Sequence, residues 1–197
     1  MIGRPRDPAA GHAIVETTIT LLAKRGYSCL TIDEIAHEAG VSKATIYRRW
    51  PSKLPLVLDA VRELTDERVP TPNTGTVEGD LVAVLDSYVT VLNTPLGVAL
   101  ARLLADAASC PQLRHAVHTG LVVRRQLALR TILERGVTTG EVRPDAAEQL
   151  DLVLELGTAA LFHRLLVSDR PLDTEFAFQV VRLLQFGIGP AGDPVRK

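Results

Sequence analysis

Apolar residues recur every three or four positions from one end of the chain to the other, and no segment alternates residue by residue. The pattern predicts helices and no sheet, an all-α fold. In "AIVETTITLLAKRG", Ile14, Val15, Thr18, Leu21 and Leu22 mark one face of a first helix, and Gly26 supplies its stop. In "TIDEIAHEAG", Thr31 and Glu34 have the spacing of a capping box, while Ile32, Ile35, Ala36 and Ala39 form an inward face. Gly40 tolerates a positive φ, Val41 is placed to plug the core, and Ser42 is placed to cap a third, short helix. Helix, tight glycine turn, helix is the helix-turn-helix pattern.

That third helix opens "VSKATIYRRWPSK", residues 41–53. At about 100° per residue, Ile46 and Trp50 share one face and define the buried side. Ala44 and Arg48 fall opposite, Thr45 and Tyr47 flank them, and Lys43 and Arg49 lie at the edges. A small residue near the helix start lets the backbone approach a groove, Arg48 reaches base edges, and hydroxyls and edge charges reach phosphates. This is the chemistry of a helix that enters the DNA major groove. The plainer alternative is a solvated charged face. The capped preceding helix, the glycine turn, Trp50 and the helix restart at Pro51–Ser52–Lys53 favour the first.

A fourth helix follows, with Pro55 in its first turn after a Ser52 cap, and continues to about Arg68. "VPTPNTGTVEG" then breaks the pattern and marks a boundary. Further helices are expected near 79–93, 95–108, 111–136, 145–167 and 174–187, with Asp145 and Glu148 repeating the capping-box spacing. "LDLVLELGTAALFHRLLV" is apolar on nearly every side, so it needs two covers: its own core and a second subunit. Gly157, Ala159 and Ala160 allow close approach, and Phe176, Val180, Leu183 and Leu184 complete a four-helix seam. The expected organisation is a helix-turn-helix domain at 1–55 with a basic arm at 1–9, a connecting helix and linker at 56–78, and a helical domain at 79–190.

Charge supports a local polyanion site. The chain carries −1 overall, yet residues 1–53 hold eight basic residues (Arg4, Arg6, Lys24, Arg25, Lys43, Arg48, Arg49, Lys53) against five acidic (Asp7, Glu16, Asp33, Glu34, Glu38), a balance of +3. No apolar run approaches the ~18–20 residues of a membrane helix and no signal-peptide centre is present, so a cytoplasmic protein is expected. Cys29 and Cys110 lie in no CxxC pair and read as reduced packing residues.

Over residues 10–58, "TIDEIAHEAGVSKATIYRRWPSKLPLV" resembles the TetR family of bacterial transcriptional regulators, whose pattern is T-x-x-x-I-A-x-x-A-G-V-S-x-x-T-x-Y-x-x-F-x-x-K. The resemblance implies that Thr31 caps the second helix near a phosphate, that Lys43, Ala44, Thr45 and Arg48 face the groove, and that Tyr47 and Lys53 contact the DNA backbone; Ser42, the cap of the third helix, is counted with these DNA-binding residues. Trp50 takes the family's usual Phe position in the core. Arg49 stands where His is frequent, a departure from the family pattern that is expected to make phosphate contacts more numerous. "GRPR" resembles the family's flexible arm, with Arg4 and Arg6 suited to the minor groove. "GEVR" and "HRLLV" resemble its regulatory domains. The implied protein is a homodimer that binds an inverted repeat of double-stranded DNA, most simply a repressor released by a small apolar or aromatic effector. Tyr88, Arg102, Asp106, Arg125, Phe162 and His163 are candidate effector contacts.

Two other classes compete. For a small-molecule enzyme the chain offers no GxSxG, P-loop, GxGxxG after a strand or HExxH, and an α-only chain with an intact groove-reading helix weighs against that class. An architectural DNA binder would show salt-dependent binding without a preferred palindrome. No cofactor is expected, and no metal: His115 and His118 have no cysteine or carboxylate at matching spacing and read as a solvated pair.

Overall fold

The structure, a computed structural model, describes residues 8–66 and 71–189. In chain order these form α1 (Pro8–Cys29), α2 (Ile32–Glu38), α3 (Lys43–Tyr47), α4 (Lys53–Asp66), α5 (Val77–Leu92), α6 (Pro95–Ser109), α7 (Pro111–Val117), α8 (Val123–Thr139), α9 (Pro144–Ala147), α10 (Leu150–Leu166) and α11 (Thr174–Ile188). No strand occurs among the described residues, and no single helix among them is long and apolar enough to cross a membrane.

The helices divide into two compact units, each assembled from separated stretches of chain. The first contains α1–α4 together with α6 and α7. Its centre is α1, where Ile14, Val15, Thr18, Ile19 and Leu22 are buried. The hydroxyl of Thr18 is satisfied by donating to the Ile14 carbonyl at 2.7 Å. Around this stripe the unit buries Leu56, Val57, Ala60 and Val61 of α4, Leu96, Ala99, Leu103 and Ala107 of α6, and Leu113 and Val117 of α7. Each fully buried Leu or Ile contributes about 1.5–3 kcal/mol. The expected divisions at 55/56 and 78/79 follow chain order; the packing does not, because α1 offers more apolar surface than α2–α4 cover.

The second unit contains α5 and α8–α11. Val77, Leu81, Leu85, Val89 and Leu92 run along one face of α5 and meet Leu129, Ile132 and Leu133 of α8, Val153 and Leu161 of α10, and Ala177, Val180 and Val181 of α11. Where α8 crosses the start of α5, Gly136 is required for closeness: a Cβ there would sit 2.6 Å from Val142 Cγ2 and collide with Val77. A buried carboxylate, Asp80, accepts from the Thr74 N–H at 2.6 Å, from the Thr74 hydroxyl at 2.9 Å and from Arg135.

Three local expectations change. Thr31 caps α2 by accepting the Glu34 N–H at 3.3 Å, but Glu34 does not return to the Thr31 N–H; its carboxylate takes the Thr31 hydroxyl at 3.1 Å and pairs with Arg25. Asp145 and Glu148 form no capping box. Arg143 is the N-cap of α9, Asp145 pairs with Arg143 at 3.5 Å, and α10 starts afresh after Gln149. The helix expected over 111–136 holds one widened, π-helical turn at His118–Val122.

Candidate nucleic-acid interface

Burial of one face fixes where α3 points. Ile46 and Trp50 are buried, Gly40 makes the preceding turn at φ 65°, and Ser42 caps the helix by accepting the Thr45 N–H at 3.2 Å. A buried indole N–H needs an acceptor, and Asp59 of α4 provides it at 3.0 Å. With that side anchored, Ala44, Tyr47 and Arg48 are exposed, Tyr47 by 50%. Arg48 Nη2 lies 3.4 Å from the Thr45 hydroxyl, which in turn is 3.0 Å from that of Ser42.

The other cations of 41–53 are engaged by the protein. Lys43 pairs with Asp33 of α2 at 3.0 Å, both side chains more than half exposed. Such a pair is worth about 0–1 kcal/mol and yields readily to a phosphate. Arg49 is held more firmly: it lies 4.5 Å over the Trp50 ring, 3.7 Å from Asp59 and 3.5 Å from Glu63. Lys53 turns inward, donating to the carbonyls of Tyr27 at 2.7 Å and Leu30 at 2.8 Å with its ammonium 4.3 Å over the Tyr27 ring. Burial pulls Lys53 below the usual lysine range, against the opposing influence of Asp106 and Cys29. Thr31 is exposed at the start of α2. Arg4 and Arg6 lie outside the described residues. The outward surface therefore offers a small residue, hydroxyls, the Arg48 guanidinium and the loosely held Lys43 ammonium, a set suited to base edges and phosphates.

Comparison with known families matches residues 14–60 to "Bacterial regulatory proteins, tetR family" and residues 71–184 to "Tetracyclin repressor-like, C-terminal domain". The chain belongs to the TetR family. It is thus a helix-turn-helix, DNA-binding transcriptional regulator and not an enzyme. Across 179 residues it is 28% identical to the uncharacterized HTH-type transcriptional regulator YdeS of Bacillus subtilis (strain 168), covering 91% of this chain and 89% of that one. The crystal structure of the TetR family transcription regulator SCO0332 superposes with a TM-score of 0.71 at 30% identity, covering 92% of this chain and 99% of that one. A putative transcriptional regulator from Saccharomonospora viridis, solved in complex with choline, shares the fold with a TM-score of 0.69 at 23% identity over 93% and 99% of the two chains.

The effector candidates of this TetR-family chain are divided between the two units. Tyr88 and Phe162 are half-buried against the core of the second unit, and His163 is exposed. Arg102 and Asp106 belong to the first unit, where both bind the backbone of α1. The side chain of Arg125 lies outside the described ones. The candidate seam residues also separate. Gly157 is buried, and a Cβ there would lie 3.5 Å from Leu85 and 3.7 Å from Leu184, so its small size serves packing within the unit. Val180 is buried, Ala160, Phe176 and Leu184 are half-buried, and Leu183 is 72% exposed. The outward apolar side chains of α10 are Leu152, Leu156 and Leu166, joined on α11 by Leu183 and Phe186. Leu152 and Leu156 are four residues apart on α10 and Leu183 and Phe186 three apart on α11, the spacing of one helix face.

Proposed function

We propose that the chain is a homodimeric repressor that reads an inverted repeat through α3 and leaves it when a small molecule binds the second unit. The observation that carries this reading is the division of labour along α3 and the turn that ends it: Ile46 and Trp50 are buried while Ala44, Tyr47 and Arg48 are exposed. Arg48 reads a base edge, Lys43 exchanges Asp33 for a phosphate, and Thr31, Ser42, Thr45 and Tyr47 hydrogen-bond along the backbone. Arg49 and Lys53 act through the framework they brace.

The exposed apolar face of α10 and α11 is the proposed dimer surface, since a leucine and phenylalanine patch of this kind is costly to leave in water. Reading both halves of an inverted repeat requires two recognition helices ~34–36 Å apart, in successive major grooves, and a two-fold dimer supplies two. An effector that favours a different spacing lowers DNA affinity by its differential affinity for the two shapes. The match to a repressor-like C-terminal domain and the choline complex of a like-folded regulator support a small ligand, for which Tyr88 and Phe162 supply aromatic walls. The proposed location is the cytoplasm, where the DNA is.

The test is selection from random duplex DNA by the purified protein at two salt concentrations. Enrichment of a salt-sensitive inverted repeat is expected. Salt-sensitive binding without any enriched sequence would replace this reading with an architectural one.

A further inference from the structure

Asp106 stands on α6, outside residues 14–60 that carry the helix-turn-helix match. Its carboxylate nevertheless closes the turn from which the helix-turn-helix departs. Oδ2 accepts the N–H of Tyr27 at 2.6 Å and of Ser28 at 3.2 Å, and Oδ1 accepts the Ser28 hydroxyl at 3.1 Å. One turn earlier on α6, Arg102 donates to the Lys24 carbonyl at 3.1 Å. The chain accepts this approach because Gly26 adopts φ 76°, ψ 170°, and because a Cβ at that position would lie only 3.0 Å from Asp106 Oδ2. Lys53 in turn collects the carbonyls of Tyr27 and Leu30. The same few residues thus have their N–H groups gathered by an anion on α6 and their carbonyls gathered by a cation at the start of α4. Two residues after this turn α2 begins, and α2 carries α3.

We propose that Asp106 is a positioning residue for DNA reading, fixing through the 26–30 turn the angle at which α2 and α3 present Ala44, Tyr47 and Arg48. This rests on the regulatory reading above. Base-edge hydrogen bonds are directional and fail together when α3 tilts. Phosphate attraction is set mainly by charge and tolerates the tilt. Loss of Asp106 therefore degrades discrimination between sequences more than it degrades binding.

The test uses the full chain and the duplex that the wild type selects, with a scrambled duplex of equal length, below the melting temperature of every variant. Asp106→Ala is expected to lose about tenfold in affinity for the selected duplex, or ~1.4 kcal/mol, and less than about twofold for the scrambled one. Asp106→Asn keeps acceptors for both N–H groups and a donor for Ser28, and it is expected to restore most of the discrimination. Leu103→Val, a core change on the same helix that lowers stability without touching the turn, is expected to leave the ratio of the two affinities unchanged. Equal discrimination by wild type and Asp106→Ala would overturn the proposal, and so would an equal loss in Leu103→Val. Should Asp106→Ala not fold, Arg102→Ala takes its place in the comparison, with the same direction expected. A wild type that selects no sequence would instead overturn the regulatory reading, and this inference with it.

Discussion

Trp50 and Asp59 are joined by a 3.0 Å hydrogen bond from the indole N–H to Oδ2, so the residue that anchors the recognition helix is itself tied to α4. Asp59 also pairs with Arg62 and lies 3.7 Å from Arg49. Trp50→Phe, which restores the family's usual residue, removes the donor but leaves the carboxylate with its two arginines. The expected cost is about 1 kcal/mol, against about 3–5 kcal/mol for Trp50→Ala. Urea unfolding of the two variants checks the difference; similar midpoints for both would mean that the ring is not a core anchor.

The cations near α3 should separate by role when DNA binding is measured over a range of salt. Arg48→Ala is expected to cost about 1–3 kcal/mol and to relax preference at one base position. Lys43→Ala should weaken all sequences alike and reduce the salt slope by about one. Lys53→Ala should leave that slope unchanged, because its ammonium is spent on the Tyr27 and Leu30 carbonyls. It should lower folding stability instead, by about 1–3 kcal/mol. A reduced slope for Lys53→Ala would place that ammonium on the DNA.

In the second unit, Asp80 is fully buried and holds Thr74 and Arg135, while Arg135 also donates to the Pro72 carbonyl at 3.3 Å. Asp80→Ala leaves a half-buried guanidinium and the Thr74 N–H without their partner, and should destabilise the unit by about 3 kcal/mol. Asp80→Asn, which still accepts from Thr74, should cost less. A change in Asp80→Ala within about 0.5 kcal/mol of wild type, the usual range of surface substitutions, would show that the pair contributes nothing net.

Leu183 and Leu156 test the proposed dimer face. Replacing both with Glu puts two charges into an apolar seam but removes little from the monomer's core, since both side chains are about half exposed or more. Sedimentation should report a folded monomer with melting temperature close to that of a monomeric reference, and binding to the inverted repeat should fall to that of a half-site. A dimer mass retained by the double variant would move the interface elsewhere.

Periodicity made much of this fold legible. Ile14, Val15, Thr18, Leu21 and Leu22 are buried as their spacing predicts, and the inward assignment of Ile46 and Trp50 follows from a helical wheel alone. Spacing fails where a partner comes from far along the chain. Nothing around Lys53 says that two carbonyls some twenty-five residues earlier lie within reach, and nothing around Asp106 says that it meets Tyr27 and Ser28. Both read as surface charges available to a ligand. Gly157 is a related case: a small residue on an apolar helix marks a close approach without saying whether the neighbour belongs to the same chain, and within this chain the neighbours are Leu85 and Leu184. The second half of the Thr31 capping box was lost to competition, since Arg25 offered Glu34 a charged partner.

The first unit takes its helices from both sides of α5, and this sets a timetable for synthesis. When α4 has been made, α1 still lacks the apolar cover that Leu96, Ala99, Leu103 and Ala107 provide. At about 5–20 residues per second, the stretch from Asp66 to Ala107 takes roughly two to eight seconds to appear. For that interval the nascent reading head has an open flank and an unfilled turn at Tyr27 and Ser28. A chain interrupted before α6 lacks both that apolar cover and the carboxylate that gathers the Tyr27 and Ser28 N–H groups, so the first unit is complete only once synthesis has passed well beyond the helix-turn-helix.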